Sequence, residues 1–88
     1  MNYFLFTYPN CPICEDLKRY LNKKNLDWQE FNLVLREGKL KIREFIKDIR
    51  RDEKGSIIIP TLVVQEEEKV KAVLNSRQEL EGWLKSRD

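Results

Sequence analysis

The chain has 88 residues, 41% of them hydrophobic and 36% charged, which fits a single globular domain over residues 1–88 rather than a disordered or membrane-spanning chain. Lys and Arg total 17 against 15 Asp and Glu, a net charge of +2 that is too balanced to argue for nucleic acid. No apolar run approaches the roughly 20 residues that cross a bilayer. His is absent, which removes His-based acid–base catalysis, Ser-His and Cys-His nucleophile pairs, and every His-containing metal site. Residues 1–9 show no basic region followed by an apolar run and a cleavage site, so the expected location is cytoplasmic.

Tyr3 to Tyr8 is aromatic and uncharged, is bounded by Pro9-Asn10, and predicts a buried central strand. A helix follows. Pro12 suits its first turn, Ile13, Cys14, Leu17, Tyr20 and Leu21 recur at helical spacing, and Asn25 is a stop signal. Acidic Glu15 and Asp16 come early and Lys23 and Lys24 late, as the helix dipole favours. Trp28 to Leu33 predicts a second strand, and strand, helix and strand within about 30 residues make a right-handed parallel βαβ unit. Gly38 to Glu53 predicts a second helix with Ile42, Phe45, Ile46 and Ile49 on its apolar stripe, ended by Gly55. Leu62 to Gln65 and Val70 to Leu74 predict an antiparallel hairpin whose link, Glu66 to Lys69, holds no glycine. Ser76 and Glu79 form a capping box for a last helix with Leu80, Trp83 and Leu84 on its core face. The order is βαβαββα.

The only two cysteines sit in one motif, Cys11-Pro12-Ile13-Cys14, between the first strand and the first helix. A disulfide-stapled secreted scaffold carries more cysteines, spread along the chain. Attack on a disulfide needs a thiolate, and the unpaired N–H groups and positive dipole of a helix N-terminus stabilise one. Cys11 is therefore the expected attacking sulfur. Cys14, one turn on and on the apolar side, is the expected resolving thiol. A Cys-X-X-Cys pair is also half of a zinc site, but there is no second pair and no His, so only two chains pooling their motifs could complete one. Pro60 is either a strand-entry proline or a cis proline after Ile59.

Tyr8-Pro9-Asn10-Cys11-Pro12-Ile13-Cys14, the helix after it and Pro60 opening a hairpin resemble the glutaredoxins over essentially the whole chain. The resemblance implies the α/β thioredoxin-like fold, a four-stranded mixed sheet with three helices on its two faces. It implies a thiol–disulfide oxidoreductase of cell redox homeostasis that reduces protein disulfides or glutathione mixed disulfides. It implies a cis Ile59-Pro60 bond, with the Ile59 backbone pairing with the substrate's main chain. Ile13 stands where the family motif usually has tyrosine, and Tyr8 stands where a basic residue is common. The family's Gly-Gly segment, which holds the γ-glutamyl end of glutathione, corresponds to Leu74-Asn75-Ser76-Arg77-Gln78-Glu79 and lacks glycine. Ser76 at a helix start either binds a carboxylate there or is an ordinary cap.

The expected substrate-contacting set is thus Tyr8, Pro12, Ile13, Ile59, Pro60 and Ser76 beside Cys11 and Cys14, with no resident cofactor or metal. The expected electron donor is glutathione, as co-substrate, or thioredoxin reductase, and the expected state is a monomer. Between Arg36 and Lys54 eight basic residues face five acidic ones, a solvated face or an attraction for an acidic partner. A rival class is a non-enzymatic metal or iron–sulfur module.

Overall fold

Strand β1 (Asn2–Thr7) lies inside the sheet, and the other elements are laid against it. In the computed structural model, which describes residues 1–87, β1 pairs in parallel with β2 (Trp28–Asn32) and antiparallel with β3 (Thr61–Glu66). Strand β4 (Lys69–Leu74) pairs antiparallel with β3, giving the sheet order β2-β1-β3-β4. Helices α1 (Pro12–Lys23), α2 (Arg36–Arg43) and α3 (Arg77–Ser86) complete the expected order βαβαββα, and none is long and apolar enough to cross a membrane.

Successive side chains of a strand take opposite faces, so an unbroken apolar strand needs cover on both sides. Tyr3 and Leu5 of β1 join Leu62 and Val64 of β3 beneath Leu17 and Leu21 of α1 and Leu80 of α3. Phe4 and Phe6 join Val63 on the other face, beneath Ile42, Phe45 and Ile49. There the rings of Phe4, Phe6, Phe31 and Phe45 interlock with centroids 5.6 to 6.2 Å apart. Such ring pairs add about 0.5–1.5 kcal/mol each beyond their buried area.

The second helix departs from expectation at both ends. It begins at Arg36 because Gly38 is a packing glycine inside the first turn rather than a boundary. A Cβ there would overlap the Asn32 carbonyl, so only glycine lets α2 lie this close to the end of β2. It ends at Arg43, not Glu53. The N–H groups of Glu44, Phe45 and Asp48 bond three residues back, and that of Ile49 bonds the Phe45 carbonyl. These tighter turns keep Phe45 and Ile49 in the core but swing Ile46 outward to 42% exposure, off the predicted stripe. Gly55, at φ 84°, ends no helix. It closes a separate turn in which Asp52 accepts the N–H groups of Lys54, Gly55 and Ser56.

Asn25 ends α1 as expected, in the left-handed region at φ 54°. The hairpin turn is less ordinary. Glu67 and Glu68 stand at φ 52° and 65°, the paired positive values of a type I′ turn that normally takes Asn-Gly. Left-handed backbone costs a residue with a Cβ roughly 1–2 kcal/mol, and glycine escapes it. Glu68→Gly is therefore expected to stabilise the fold by about 1 kcal/mol. Urea titration checks this as a higher midpoint at unchanged slope.

Candidate active site

The parallel pair β1–β2 ends on one edge of the sheet, where Leu33 N–H still bonds the Thr7 carbonyl at 2.8 Å. From there Tyr8, Pro9 and Asn10 turn the chain, with Asn10 left-handed at φ 57°, and deliver Cys11 to the N-cap of α1. The Cys11 backbone is extended and its Sγ accepts the Cys14 N–H at 3.1 Å, filling the place a Ser or Asp oxygen usually takes. Pro12 occupies the first turn, where a missing N–H costs nothing. Cys11 and Cys14 are joined as a disulfide with Cα atoms 5.2 Å apart. Cys14 is 1% exposed beneath the helix while Cys11 is only partly covered. One sulfur is presented and the other sheltered.

The expected contact residues fall on two sides of this pair. Pro12, Ile13, Ile58, Ile59 and Ser76 line a groove of about 560 Å³. The Ile59-Pro60 peptide bond is cis. Pro60 itself is buried beneath the groove and Ile59 forms its wall. Ile13, expected on the apolar stripe of α1, is 59% exposed and rims the groove instead, because the helix start turns it away from the sheet. Ser76 caps α3 by accepting the Glu79 N–H at 3.1 Å. The capping box is completed one residue early: the Glu79 carboxylate takes the Asn75 N–H at 2.7 Å rather than that of Ser76. Tyr8, 49% exposed, lines a second cleft of about 420 Å³ on the other side of Cys11.

That second cleft holds a cluster that composition and motif do not reveal. Lys18 lies between the carboxylates of Glu15 and Glu30, at 2.7 and 2.6 Å, and Thr7 Oγ1 donates to the same Glu30 oxygen at 2.8 Å. Period-two alternation in β2 carries the signal. Trp28 packs toward α1, so Glu30 shares that face and meets Lys18, one helical turn past Cys14. Burial alone disfavours the Lys18 ammonium, but its hydrogen bonds and charge pairing with Glu15 and Glu30 outweigh this and hold its pKa above 10.5. Burial likewise favours neutral Glu30, and the bonds from Lys18 and Thr7 together with the Lys18 charge hold its carboxyl below 4.5. With two carboxylates on one ammonium, the cleft offers Cys11 no spare positive charge. Among the described residues, no group of three or more Cys, Asp or Glu is placed to hold a metal ion.

A depressed carboxyl pKa stabilises the fold above the unfolded-state value, and that contribution is lost as pH falls through the folded-state value. The raised Lys18 pKa works in the other window, contributing at neutral pH and being lost only as pH rises above 10.5. Glu30→Gln is accordingly expected to be less stable than the parent at neutral pH. The gap should close once the parent's Glu30 is protonated in acid. Thermal unfolding across the acid range reads both.

Comparison with known proteins agrees with this geometry. The family model described as Glutaredoxin matches residues 4–69. No curated protein sequence matches. The thioredoxin-like protein BC3987 superposes with a TM-score of 0.61 at 22% identity, over 94% of this chain and 96% of that one. The glutaredoxin-like NrdH-redoxin of Escherichia coli superposes with a TM-score of 0.63 at 16% identity, over 96% and 95%. Thioredoxin 1 of Thermosipho africanus gives 0.60 at 11% identity, over 99% and 98%. These likenesses show the thioredoxin-like fold. With the matched family model and a Cys-X-X-Cys pair closed as a disulfide on the helix cap, the chain belongs to the glutaredoxin family of thiol–disulfide oxidoreductases.

Proposed function

We propose that the chain reduces protein or glutathione mixed disulfides through a dithiol relay, with Cys11 as nucleophile and Cys14 as resolving thiol. The observation that carries this is the asymmetry of the pair: Cys11 caps the helix N-terminus at a groove, whereas Cys14 is 1% exposed behind it. In the reduced protein the helix-end N–H groups and dipole favour the Cys11 thiolate, a contribution of about 0.3–1 kcal/mol and up to about 2 when partly buried. The thiolate attacks a substrate disulfide, forming a Cys11–substrate bond and expelling one substrate sulfur, which takes up a proton from solvent. Cys14 then loses its proton and attacks Cys11 Sγ, breaking the mixed disulfide and releasing the second sulfur. Two electrons pass to the substrate and the protein is left with the Cys11–Cys14 bond seen here.

The remaining assignments belong to the same proposal. Ile13 and Ile59 flank the substrate sulfur in the groove, with Pro12 and Ser76 along its walls and Pro60 setting the loop from below. Tyr8 meets the substrate from the far side of Cys11, where it lines the second cleft. The electron donor is glutathione or thioredoxin reductase, in the cytoplasm.

A second reading, a redoxin recharged by thioredoxin reductase, is favoured by one observation. The Asn75-Ser76 stretch is already engaged, with Ser76 Oγ on the Glu79 N–H and the Glu79 carboxylate on the Asn75 N–H and Arg50. The Escherichia coli NrdH-redoxin is described as glutaredoxin-like with a thioredoxin-like activity profile.

Cys11→Ser is expected to abolish turnover of a small disulfide, and Cys14→Ser to block the dithiol route and, without glutathione to resolve it, hold a mixed disulfide at Cys11 that intact-protein mass reads. Finding no adduct in the Cys14→Ser protein sinks the relay. Steady-state assays with glutathione plus glutathione reductase, or with thioredoxin reductase plus NADPH, identify the donor. Turnover in the first is expected; turnover only in the second establishes the alternative.

A further inference from the structure

The groove wall opposite Ile13 is the loop Ile58–Pro60, and one side chain from outside that loop holds it. Asn75 lies between β4 and α3. Its Nδ2 donates to the Pro60 carbonyl at 3.0 Å, to Thr61 Oγ1 at 3.1 Å and to the Ile58 carbonyl at 3.4 Å. Two of these partners are carbonyls, which only accept, and the Thr61 hydroxyl already donates to the Ile58 carbonyl, so the NH₂ end of the amide faces them. The other end is left without a partner: Asn75 Oδ1 is buried and accepts no hydrogen bond. Buried polar atoms are ordinarily satisfied, and one that is not marks a position held for another reason.

The clamp is itself braced from a third direction. Asn75 N–H donates to Glu79 Oε1 at 2.7 Å, and Arg50 Nη1 donates to both oxygens of that carboxylate at 3.0 and 2.9 Å. The Arg50 carbonyl accepts the Ile58 N–H at 3.3 Å. Arg50, Glu79, Asn75 and Ile58 thus close a ring of hydrogen bonds around the base of the loop. Ile59 is left between two tied residues, facing the groove.

We propose that Asn75 is a positioning residue for disulfide exchange, holding the Ile58–Pro60 loop in the geometry that receives the main chain of a polypeptide disulfide. This rests on the reading of the groove as the seat of a disulfide substrate. Asn75 lines the same groove beside Ser76, but the hydrogen bonds its amide makes go to Ile58, Pro60 and Thr61. None of them reaches Cys11 or Cys14, so it selects for substrates that carry a peptide main chain beside the sulfur over those that do not.

The test uses the full chain with Cys14→Ser, which stops the reaction at the Cys11 adduct, and two probes. One is a short cysteine peptide dimerised through its disulfide; the other is bis(2-hydroxyethyl) disulfide, which has no main chain. Asn75→Ala is expected to slow adduct formation with the peptide about 10-fold, the equivalent of one or two lost hydrogen bonds. Its rates with the small disulfide and with iodoacetamide should stay within about twofold of the parent's, since neither probe carries a main chain for the loop's backbone to pair with. Asn75→Asp, nearly the same shape without the donors, is expected to behave the same way, and circular dichroism reports folding of both. Should Asn75→Ala not fold, Asn75→Ser, which keeps a shorter donor, is expected to show a smaller loss in the same direction. Equal slowing with both disulfides, or no slowing with either, overturns the proposal. A Cys14→Ser parent that forms no adduct with either probe overturns the relay, and the proposal with it.

Discussion

Burial of β1 on both faces is the constraint from which the arrangement of the site follows. A strand reading Tyr3-Phe4-Leu5-Phe6 cannot lie at an edge or under a single layer without exposing rings to water, so it needs a partner strand on each side and helices above and below. One partner is reached through a right-handed crossover, and the crossover must begin where β1 ends. The turn at Tyr8, Pro9 and Asn10 and the cap at Cys11 sit at that point. Leu17 and Leu21 fix α1 onto the sheet, and the same anchoring points its N-terminus, with the sulfur on it, at the edge of the sheet where β3 also begins.

The electrostatics there rest on the backbone rather than on side-chain charge. Lys18 is the cation that the cleft beside Cys11 offers, and two carboxylates already bind it. Tyr8 supplies none. What remains to favour a thiolate is the N–H donated by Cys14 and the dipole of a twelve-residue helix. Salt screens such a local, partly covered interaction less than it screens exposed charges. The Lys18–Glu15–Glu30 cluster ties α1 to β2 at the turn below the cysteines, so it stiffens the helix end whose dipole does the work.

The legible parts of the sequence were those set by periodicity and by chemistry that few residues can perform. The two-sided strand, the stripe of Leu17 and Leu21, the Asn25 stop and the Ser76 cap come from local rules, and Cys11 and Cys14 stand out as the chain's only cysteines. The second helix was misread at both ends. Gly38 resembles a boundary until the Asn32 carbonyl is seen against it, and Phe45, Ile46 and Ile49 suit a helix until core packing winds that stretch more tightly. The Glu67-Glu68 turn was illegible for a related reason: strand register demands a left-handed pair there, whatever residues occupy it. Lys18, Glu30 and Asn75 were missed because their meaning depends on partners 12 to 17 residues away.

Asn75 shows how the two kinds of information meet. Beside the family's Gly-Gly segment the stretch Leu74–Glu79 reads as a loss, because no glycine is left to let a ligand's backbone approach. In the folded chain the same residues are committed elsewhere. Asn75 ties the Ile58–Pro60 loop, Glu79 ties Asn75 to Arg50, and Ser76 starts α3. A glycine at Asn75 would keep the backbone N–H that meets Glu79 but would leave the Pro60 carbonyl and Thr61 Oγ1 without the side-chain donor, removing the buried orphan oxygen together with the tie to the loop. Asparagine keeps the orphan and the tie. The fold carries an unsatisfied acceptor at the base of its groove beside a loop tied by both Asn75 and the Arg50 carbonyl, and under the proposal above such a preformed edge would lower the entropy lost when an extended chain is laid along it.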